Sequence, residues 1–290
     1  MKLFAFGLGY CARFFLSRPG SSFDAIAGTV RAAAKTEAPA QSNIETFVFS
    51  PEHEDEAVAE HVAAADVILV SIPPGVSADP VLSRYGHRIA ASPRQQTIVY
   101  LSSVGVYGDR RGDWVDETMT PIPSSERSLA RLQVERSWAA AGKERGKKVF
   151  ILRLAGIYGP GRNALVNLKA GTAQRIVKRG QVFNRVHVED ISRAIKASIA
   201  HKGPGGIFNV SDDAPAPPQD VINFAAMLMG IEPPPEQDLE SANLTPLARS
   251  FYAENKRVSN RKLKEELGIR LAYPTYRVGL EALWEAGEGR

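Results

Sequence analysis

Cysteine is almost absent from this sequence, since Cys11 is the only one among 290 residues. A single thiol excludes an internal disulfide, and no group of cysteine and histidine residues has the spacing of a zinc site. We therefore expect no metal ion and a cytoplasmic location, where thiols stay reduced. We interpret Cys11 itself as a small buried side chain rather than as a nucleophile.

Long apolar runs are also missing. No stretch reaches the roughly 18 to 20 apolar residues that cross a bilayer, and the apolar start of the chain breaks at Gly7, too early for the core of a signal peptide. The net charge is +4, but the basic residues are spread along the chain without a zinc-finger or basic-helix pattern. We expect a small-molecule substrate as the partner, and neither a membrane nor nucleic acid.

The first half of the chain alternates short β-rich runs with longer helical stretches. Several runs, such as residues 67–70, are apolar at consecutive positions, as in strands buried on both faces of a sheet. This alternation predicts the α/β class, with a doubly wound parallel sheet of the Rossmann type. The predicted strands cover residues 2–6, 23–30, 44–49, 66–72, 97–102 and 148–154, and the predicted helices include residues 57–65, 82–91 and 125–141.

Proline and glycine accumulate after Gly159, which indicates a smaller, loop-rich lobe. Helical patterns at residues 219–230 and 260–267 flank the prolines and favour an ordered lobe over a disordered linker. The predicted domains are a dinucleotide-binding domain over residues 1–160, rejoined by residues 184–212, and a substrate-binding lobe over residues 161–183 and 213–290.

A glycine-rich segment follows the first predicted strand and opens a helical run. Residues 7–12 read Gly-Leu-Gly-Tyr-Cys-Ala, a G-x-G-x-x-A spacing. The first glycine permits a tight turn, the second lets the backbone approach a pyrophosphate, and the small third residue lets the helix pack close to the strand. Backbone amides at the helix start then hold the phosphates. The segment predicts dinucleotide binding through Gly7, Gly9, Tyr10 and Cys11; a structural turn in a nucleotide-free protein is the alternative.

The end of the second predicted strand indicates which dinucleotide is bound. NAD-binding proteins of this type present an Asp or Glu there, about 20 residues after the glycine loop, to the ribose 2′-hydroxyl. This chain has Arg31 instead, with Lys35 close behind and no acidic residue at the strand tip. A guanidinium pairs well with a 2′-phosphate, so the sequence favours NADP(H) over NAD(H). An ordinary surface arginine is the alternative.

Three later segments carry a resemblance to a known family. They read Leu-Ser-Ser-Val-Gly-Val-Tyr-Gly-Asp at residues 101–109, Arg-Leu-Ala-Gly-Ile-Tyr-Gly-Pro-Gly-Arg at residues 153–162, and Arg-Val-His-Val-Glu-Asp-Ile at residues 185–191. With the glycine loop, they resemble in order the extended short-chain dehydrogenase/reductases, the family of NAD-dependent epimerases and dehydratases. The resemblance covers most of residues 2–210.

The resemblance implies a catalytic Ser or Thr after the fifth strand and a Tyr-x-x-x-Lys pair on the next helix. Ser103 falls on the serine position, where a hydroxyl can hydrogen-bond a substrate carbonyl or alcohol. Counted back from Glu135, which matches an acid of the family, the tyrosine and lysine positions fall on Arg127 and Arg131. Arg131 can still supply positive charge and bind the nicotinamide ribose. Arg127 cannot replace the tyrosine, because arginine does not give up its proton.

The missing tyrosine leaves three interpretations open. In the first, another group serves as the acid, and the candidates are Tyr107, Tyr158, Glu126 and His187. Tyr107 leads them, because the family's Val-Tyr-Gly tyrosine lies close to the substrate. In the second, the protein catalyses nothing and reports the NADP(H) state to a partner. In the third, Arg127 anchors an anionic substrate. The alternative to all three is that Arg127 and Arg131 are ordinary solvent-exposed residues of the helix.

Further contacts are implied by the same resemblance. In members of the family, the chain passes the nicotinamide after the sixth strand, so Gly156 is predicted to contact the cofactor through its backbone. Ser71, at the end of the fourth strand, is a further predicted cofactor contact. Arg162 and His187 are predicted to bind the substrate. Asp190, near a predicted helix start, is interpreted as structural rather than catalytic.

The sequence thus predicts an NADP(H)-binding oxidoreductase or epimerase of a small, sugar-nucleotide-like or anionic metabolite, with Ser103, Arg131 and Tyr107 as catalytic residues. The rival prediction is a non-catalytic regulatory or redox-sensing protein that binds NADP(H). The chain also resembles a bacterial subgroup of epimerase-like proteins in which the tyrosine is likewise replaced. The helices at residues 82–91 and 125–141 match those through which family members dimerise, so we expect a homodimer.

Overall fold

A computed structural model of the chain describes residues 1–18, 23–32, 44–75 and 78–290. The strands are β1 (Lys2–Phe6), β2 (Ala25–Val30), β3 (Ile44–Val48), β4 (Val67–Val70), β5 (Thr97–Ser103), β6 (Trp114–Val115), β7 (Lys148–Leu154), β8 (Gly156–Tyr158), β9 (Arg175–Val177), β10 (Arg185–His187), β11 (Gly206–Val210), β12 (Glu236–Asp238) and β13 (Arg257–Val258). The helices are α1 (Tyr10–Leu16), α2 (Glu56–Ala64), α3 (Pro80–Ala91), α4 (Glu126–Arg145), α5 (Ala164–Lys169), α6 (Val188–Ala200), α7 (Pro218–Met229), α8 (Pro246–Phe251), α9 (Arg261–Leu267) and α10 (Tyr276–Glu285).

Seven strands form the main sheet, in the order β11-β7-β5-β4-β1-β2-β3. Strand β1 pairs in parallel with β2 and β4, β2 with β3, and β4 with β5. The strand order reverses direction at β1 and β4, which is the switch point where α/β proteins of this kind bind their ligands. The predicted α/β fold with a doubly wound parallel sheet is confirmed.

The apolar runs form strands because helices on the sheet faces exclude water from them. All four residues of β4 are buried, as expected for a strand covered on both faces. One core cluster joins sheet residues such as Phe4, Phe6 and Tyr100 to helix residues such as Tyr85 and Trp138. The burial of these large side chains supplies the main stabilising contribution.

Capping residues set the limits of α3 and α4. The Asp79 side chain accepts hydrogen bonds from the first amides of α3, and Pro80 follows at the first helical position. Ser125 caps α4 in the same way, and Gly146 ends it in the left-handed region with φ of 62°. The helix predicted over residues 125–141 therefore continues to Arg145.

The described residues group into two compact units. The first comprises residues 1–106, 125–153 and 191–208, and the second comprises residues 107–124, 154–190 and 209–290. The sequence predicts residues 107–124 within the dinucleotide-binding domain, whereas in the structure they group with the second unit. Strand β6 explains this grouping, because Trp114 and Val115 pair with Arg257 and Val258 of β13.

The second unit has its own hydrophobic core, and prolines mark the starts of some of its helices. Tyr158, Leu165, Phe224 and Leu280 belong to one buried cluster of this unit. Prolines begin two of its helices, with Pro218 at the start of α7 and Pro246 at the start of α8. Proline suits the first helical turn because its missing amide hydrogen would have no partner there.

Candidate functional site

The glycine loop begins with a turn that only glycine adopts without strain. Gly7 has a φ of 93°, and a Cβ atom at this position would lie 2.5 Å from Cγ2 of Ile72. The Gly7 amide donates to Oγ1 of Thr29 at 3.0 Å, and the Leu8 amide donates to the Thr29 carbonyl at 2.8 Å. These bonds tie the loop to the end of β2.

Gly9 differs from Gly7, because the fold itself does not require glycine there. It precedes α1 in extended backbone geometry and makes no side-chain cap. A Cβ atom there would meet one atom of the described chain within 4 Å, Oγ of Ser71 at 3.9 Å, which is an ordinary contact distance. The packing of the protein itself therefore tolerates a side chain at residue 9, and the open backbone fits the close approach of a pyrophosphate.

The other predicted cofactor contacts of the first unit lie around the same strand ends. Ser71 follows β4 directly and its amide donates to the Phe6 carbonyl at 2.9 Å. Tyr10 and Cys11 form the first turn of α1, with Cys11 buried and Tyr10 half-buried. Arg31 follows β2 and is exposed, and Lys35 lies outside the described residues.

Ser103 and Arg131 both lie where α4 packs on the end of β5. Ser103 is the last residue of β5 and is half-buried, and its Oγ accepts a hydrogen bond from the Gly105 amide at 3.1 Å. Arg131 Nη1 donates to the Leu101 carbonyl at 3.1 Å and to the Tyr100 hydroxyl at 3.4 Å. Burial raises the pKa of the Tyr100 phenol, although the Arg131 charge opposes this shift.

A buried ion pair holds α4 against the sheet one turn further along. Glu135 and Arg153 are each 2% exposed, and Arg153 Nη2 lies 2.7 Å from Glu135 Oε2. Arg153 Nε donates to the same carboxylate at 3.1 Å, and the Ser102 hydroxyl also donates to it. Such a bidentate pair sets position as well as energy, so it fixes the register of α4 against β7, and the Ser102 bond adds a contact with β5.

Arg127 is the residue predicted at the family's tyrosine position. Arg127 is exposed in the first turn of the helix, as is Glu126. Both residues are thus more exposed than Ser103, which is half-buried. Neighbouring residues of a helix are rotated by about 100° about its axis, so a one-residue difference decides which side chain faces inward.

Tyr107 belongs to the second unit and is completely buried. Its hydroxyl donates to Oδ1 of Asn209 at 2.9 Å. Asn209 Nδ2 in turn donates to the Ser259 carbonyl at 3.1 Å. The Tyr107 hydroxyl is therefore engaged in the interior of this unit, and its catalytic role stays a prediction.

His187 lies in a buried aromatic group of the second unit. Its ring centroid is 5.1 Å from that of Tyr158 and 4.0 Å from that of Tyr273. The Glu189 amide donates to His187 Nδ1 at 3.1 Å, so Nε2 carries the proton in the neutral ring. Burial raises the pKa of Tyr158. Asp190 accepts from the Ala272 amide at 2.6 Å, which fits its predicted structural role.

The remaining predicted contacts lie in surface segments. Gly156 is exposed at the start of β8, and its amide donates to the Asn184 carbonyl at 3.0 Å. Arg162 is exposed in the turn that follows β8, where its amide donates to the Gly159 carbonyl at 3.0 Å. The structure therefore distributes the predicted substrate residues over both units, with Arg127 in the first and Arg162 and His187 in the second.

A second group of buried charged residues, Asp212 and Arg185, was not predicted from the sequence. Asp212 is 3% exposed, and burial raises its pKa to about 7, although the Ala214 amide and the Arg185 charge lower it. Burial lowers the pKa of Arg185, whose Nη1 donates to the Phe183 carbonyl at 3.0 Å. No spacing in the sequence indicates this group, because β10 and the end of β11 come together only in the fold.

Membrane-spanning helices and metal-ion clusters are both absent from the described residues. Across residues 1–18, 23–32, 44–75 and 78–290, no helix is both long and apolar enough to span a bilayer. In the same part of the chain, no cluster of His, Cys, Asp and Glu side chains is arranged to hold a metal ion.

Known proteins are similar to this chain in both sequence and fold. Residues 84–211 match the NAD dependent epimerase/dehydratase family. Protein YeeZ of Escherichia coli K12 is 30% identical over 255 residues, which cover 82% of this chain and 84% of that protein. A conserved protein of unknown function from Silicibacter pomeroyi has a solved structure with 44% identity and a TM-score of 0.87, covering 99% of both chains.

More distant solved structures share the fold alone. The UDP-glucuronic acid 4-epimerase of Bacillus cereus, in complex with UDP-glucuronic acid and NAD, is 17% identical with a TM-score of 0.76, covering 98% of both chains. The predicted resemblance is thus confirmed by a family match, a relative covered over most of its length and a full-length structural match. This chain belongs to the NAD dependent epimerase/dehydratase family, whose members depend on a nicotinamide dinucleotide.

Proposed function

We propose that this protein binds NADP(H) and uses it in a redox or epimerase-type reaction on a small sugar-nucleotide-like or anionic metabolite. The observation that carries the proposal is the glycine loop. Its backbone conformation and packing require glycine at residue 7, whereas the packing tolerates a side chain at residue 9. When bound, the nicotinamide accepts or returns a hydride. Exposed Arg31 at the end of β2 supports NADP(H), since a guanidinium there can pair with a 2′-phosphate.

Ser103 and Arg131 supply the polar groups for the reaction. The Ser103 hydroxyl accepts from the Gly105 amide and keeps its own proton to donate to a substrate carbonyl or alcohol. Arg131 places a fixed positive charge beside the end of β5, which stabilises negative charge on a neighbouring oxygen. Exposed Arg127 and Arg162 are suited to a carboxylate or phosphate of the substrate. We assign no proton transfer to Arg127.

The structural neighbours support the proposed substrate class. MoeE5 has been solved with UDP-glucuronic acid and NAD, at 18% identity and a TM-score of 0.77, and the Bacillus cereus epimerase also holds UDP-glucuronic acid. This shared ligand joins a sugar to phosphates and carries a carboxylate. Arginine recognises both anionic groups through paired hydrogen bonds.

Alanine at Ser103 tests whether the protein is an enzyme. The wild-type protein is incubated with NADP or NADPH and a panel of sugar nucleotides and small acids, and products are followed by absorbance and mass spectrometry. We expect Ser103→Ala to lower kcat/KM about 100-fold, since acid–base assistance by a positioned group is worth about this much. Ser137→Ala, on the exposed side of α4, is the control. Turnover that Ser103→Ala leaves unchanged would remove this serine from the mechanism.

Alanine at Gly9 tests dinucleotide binding. We expect Gly9→Ala to unfold at the wild-type temperature, because its Cβ meets Ser71 Oγ at 3.9 Å, and to weaken NADPH about tenfold, or about 1.4 kcal/mol, because the methyl group occupies the approach to the backbone. Fluorescence titration and thermal unfolding measure the two effects. Gly7→Ala is the contrast and should destabilise the fold itself. Equal NADPH affinity of Gly9→Ala and wild type would contradict pyrophosphate binding here.

A second candidate function is a non-catalytic protein that binds NADP(H) and reports its state. The sequence prediction that Arg127 occupies the family's tyrosine position favours it. One structural observation also favours it, because the hydroxyl of Tyr107 is engaged with Asn209. The assay with the metabolite panel distinguishes the two candidate functions. NADPH binding without turnover of any metabolite, together with a change in protease sensitivity between NADP and NADPH, would support the second candidate over the first.

We also propose that the protein forms a homodimer through α3 and α4. A cavity of about 310 Å³ lies between these helices and is lined by residues that include Leu82, Ala130 and Val134, and Leu129 on α4 is 47% exposed. Light scattering at micromolar concentration should give twice the chain mass. Leu129→Glu should shift the protein toward monomer, whereas Leu247→Glu in the second unit should not. A wild-type monomer would contradict the proposal.

A further inference from the structure

Gly105 lies between two serine hydroxyls of the first unit. A Cβ atom built on Gly105 would lie 3.1 Å from Oγ of Ser128 and 3.4 Å from Oγ of Ser103. Apart from the neighbours of Gly105 in the chain and the backbone of its own helical turn, these are the two heavy atoms of the described residues found within 4 Å of that point. Two hydroxyl groups from distant parts of the sequence therefore converge on one small space.

Both hydroxyls have an oxygen that already accepts and a proton that remains to be donated. Ser103 Oγ accepts from the Gly105 amide at 3.1 Å. Ser125 Oγ accepts from the Ser128 amide at 3.2 Å, so its own proton points to Ser128 Oγ at 3.0 Å. No donated hydrogen bond from Ser103 or Ser128 is found within the part of the chain that the structure describes. Each serine therefore presents an O–H donor.

The space is accessible and held in place by its surroundings. Ser103, Gly105 and Ser128 are all half-buried, so a ligand can reach them from solvent. On α4, Ser128 lies on the same side as Arg131, three residues later, and Arg131 donates to the Leu101 carbonyl. The contacts of Arg131 with β5 thereby hold Ser128 opposite Ser103.

We propose that Ser103 and Ser128 form a two-hydroxyl site that binds one carbonyl or alcohol oxygen of the substrate. Gly105 lies at the base of this site. Two converging O–H donors match the two lone pairs of a single oxygen. This inference rests on the proposed function, because the oxygen belongs to the group that the nicotinamide oxidises or reduces. Ser128 becomes a substrate-binding residue beside the arginine at the family's tyrosine position. It donates a hydrogen bond and is not assigned the role of proton acceptor.

Glycine at residue 105 is part of the same arrangement. Its φ lies outside the positive range, so alanine imposes no backbone strain there. A methyl group would instead stand between the two hydroxyls, 3.1 Å from Ser128 Oγ, which is tighter than ordinary van der Waals contact, and 3.4 Å from Ser103 Oγ, at the short end of the ordinary range. Gly105→Ala therefore blocks the space, whereas Ser128→Ala removes one donor.

The probe for the test is UDP-glucuronic acid, titrated calorimetrically into the full-length protein saturated with NADP. We expect Ser128→Ala to weaken binding about fivefold to tenfold, as for the loss of one hydrogen bond, and Gly105→Ala to weaken it at least as much. The affinity of Ser137→Ala, whose hydroxyl donates to the Gln133 carbonyl on the outer side of α4, should equal that of wild type. NADP affinity should not change in any variant.

Thermal unfolding separates this role from a purely structural one. If Ser128 only completed the helix cap with Ser125, Ser128→Ala would lower the unfolding temperature and leave the probe affinity unchanged, and this result would overturn the inference. Failure of the wild-type protein to bind UDP-glucuronic acid would count against the proposed substrate class. A crystal structure with NADP then decides the inference separately. One oxygen, of solvent or ligand, within hydrogen-bond distance of both serines is expected, and serine hydroxyls bonded to other protein groups would overturn it.

Discussion

Replacing Glu135 with alanine is expected to lower the free energy of unfolding by about 3–5 kcal/mol, the usual cost of removing one partner of a buried ion pair. Arg153 is 2% exposed and bonds this carboxylate through Nη2 at 2.7 Å. The variant leaves its guanidinium in the core without its ion-pair partner. The Ser102 hydroxyl loses an acceptor at the same time. Urea unfolding followed by circular dichroism measures the effect.

Two further variants separate the ion pair from general helix effects. Glu144→Ala removes an exposed carboxylate from the same helix and should change the free energy of unfolding by no more than about 0.5 kcal/mol. The double variant Glu135→Leu/Arg153→Met replaces both charges with apolar groups and should recover most of the lost stability. A loss below about 1 kcal/mol for Glu135→Ala would mean that water reaches Arg153, against the burial described above.

Replacing Arg31 with aspartate is expected to weaken NADPH binding about 100-fold, or about 2.7 kcal/mol, and to leave NADH binding unchanged or tighter. Arg31 is exposed at the end of β2, where a charge-assisted bond to a 2′-phosphate would form. Aspartate not only removes that bond but also repels the phosphate. In NAD-binding proteins, an acid at this position accepts from the ribose 2′-hydroxyl. Fluorescence titration with both cofactors gives the ratio of affinities.

Charge reversal elsewhere serves as the control. Arg136→Asp changes the net charge equally but lies on the exposed side of α4, so it should leave both affinities unchanged. Arg31→Ala should give an intermediate loss, because it removes the attraction without adding repulsion. Equal weakening of NADPH and NADH by Arg31→Asp would refute 2′-phosphate recognition by this residue.

The glycine loop and the sheet were predictable because their signals are local. Residues 7–12 combine a required turn at Gly7 with an exposed backbone at Gly9, and both features depend on a few consecutive residues. The continuous apolar run of β4 likewise identifies a strand buried on both faces. The short strands of the second unit escaped prediction, since β6 and β13 are two residues long and pair across a large separation in the chain.

The side chains around Ser103 depend on packing that no local pattern encodes. The spacing from Glu135 predicts that Arg127 and Arg131 occupy the family's catalytic positions on α4, and this assignment stays a prediction. It did not indicate that Arg127 would be exposed or that Ser128 would face Gly105. Glu135 and Arg153 set the rotation and register of α4 on the sheet, and their contact forms between a helix and a strand.

The amino-acid sequence by itself determined the sheet, the dinucleotide loop and the family, because each rests on short-range geometry or on ordered motifs. Only the tertiary structure decided which hydroxyls converge at the end of β5 and that Tyr107 is buried against Asn209. The physical reason is that rotation of a helix by one residue exchanges an inward side chain for an outward one. Buried contacts that are distant in sequence, such as that of Glu135 with Arg153, select between the two.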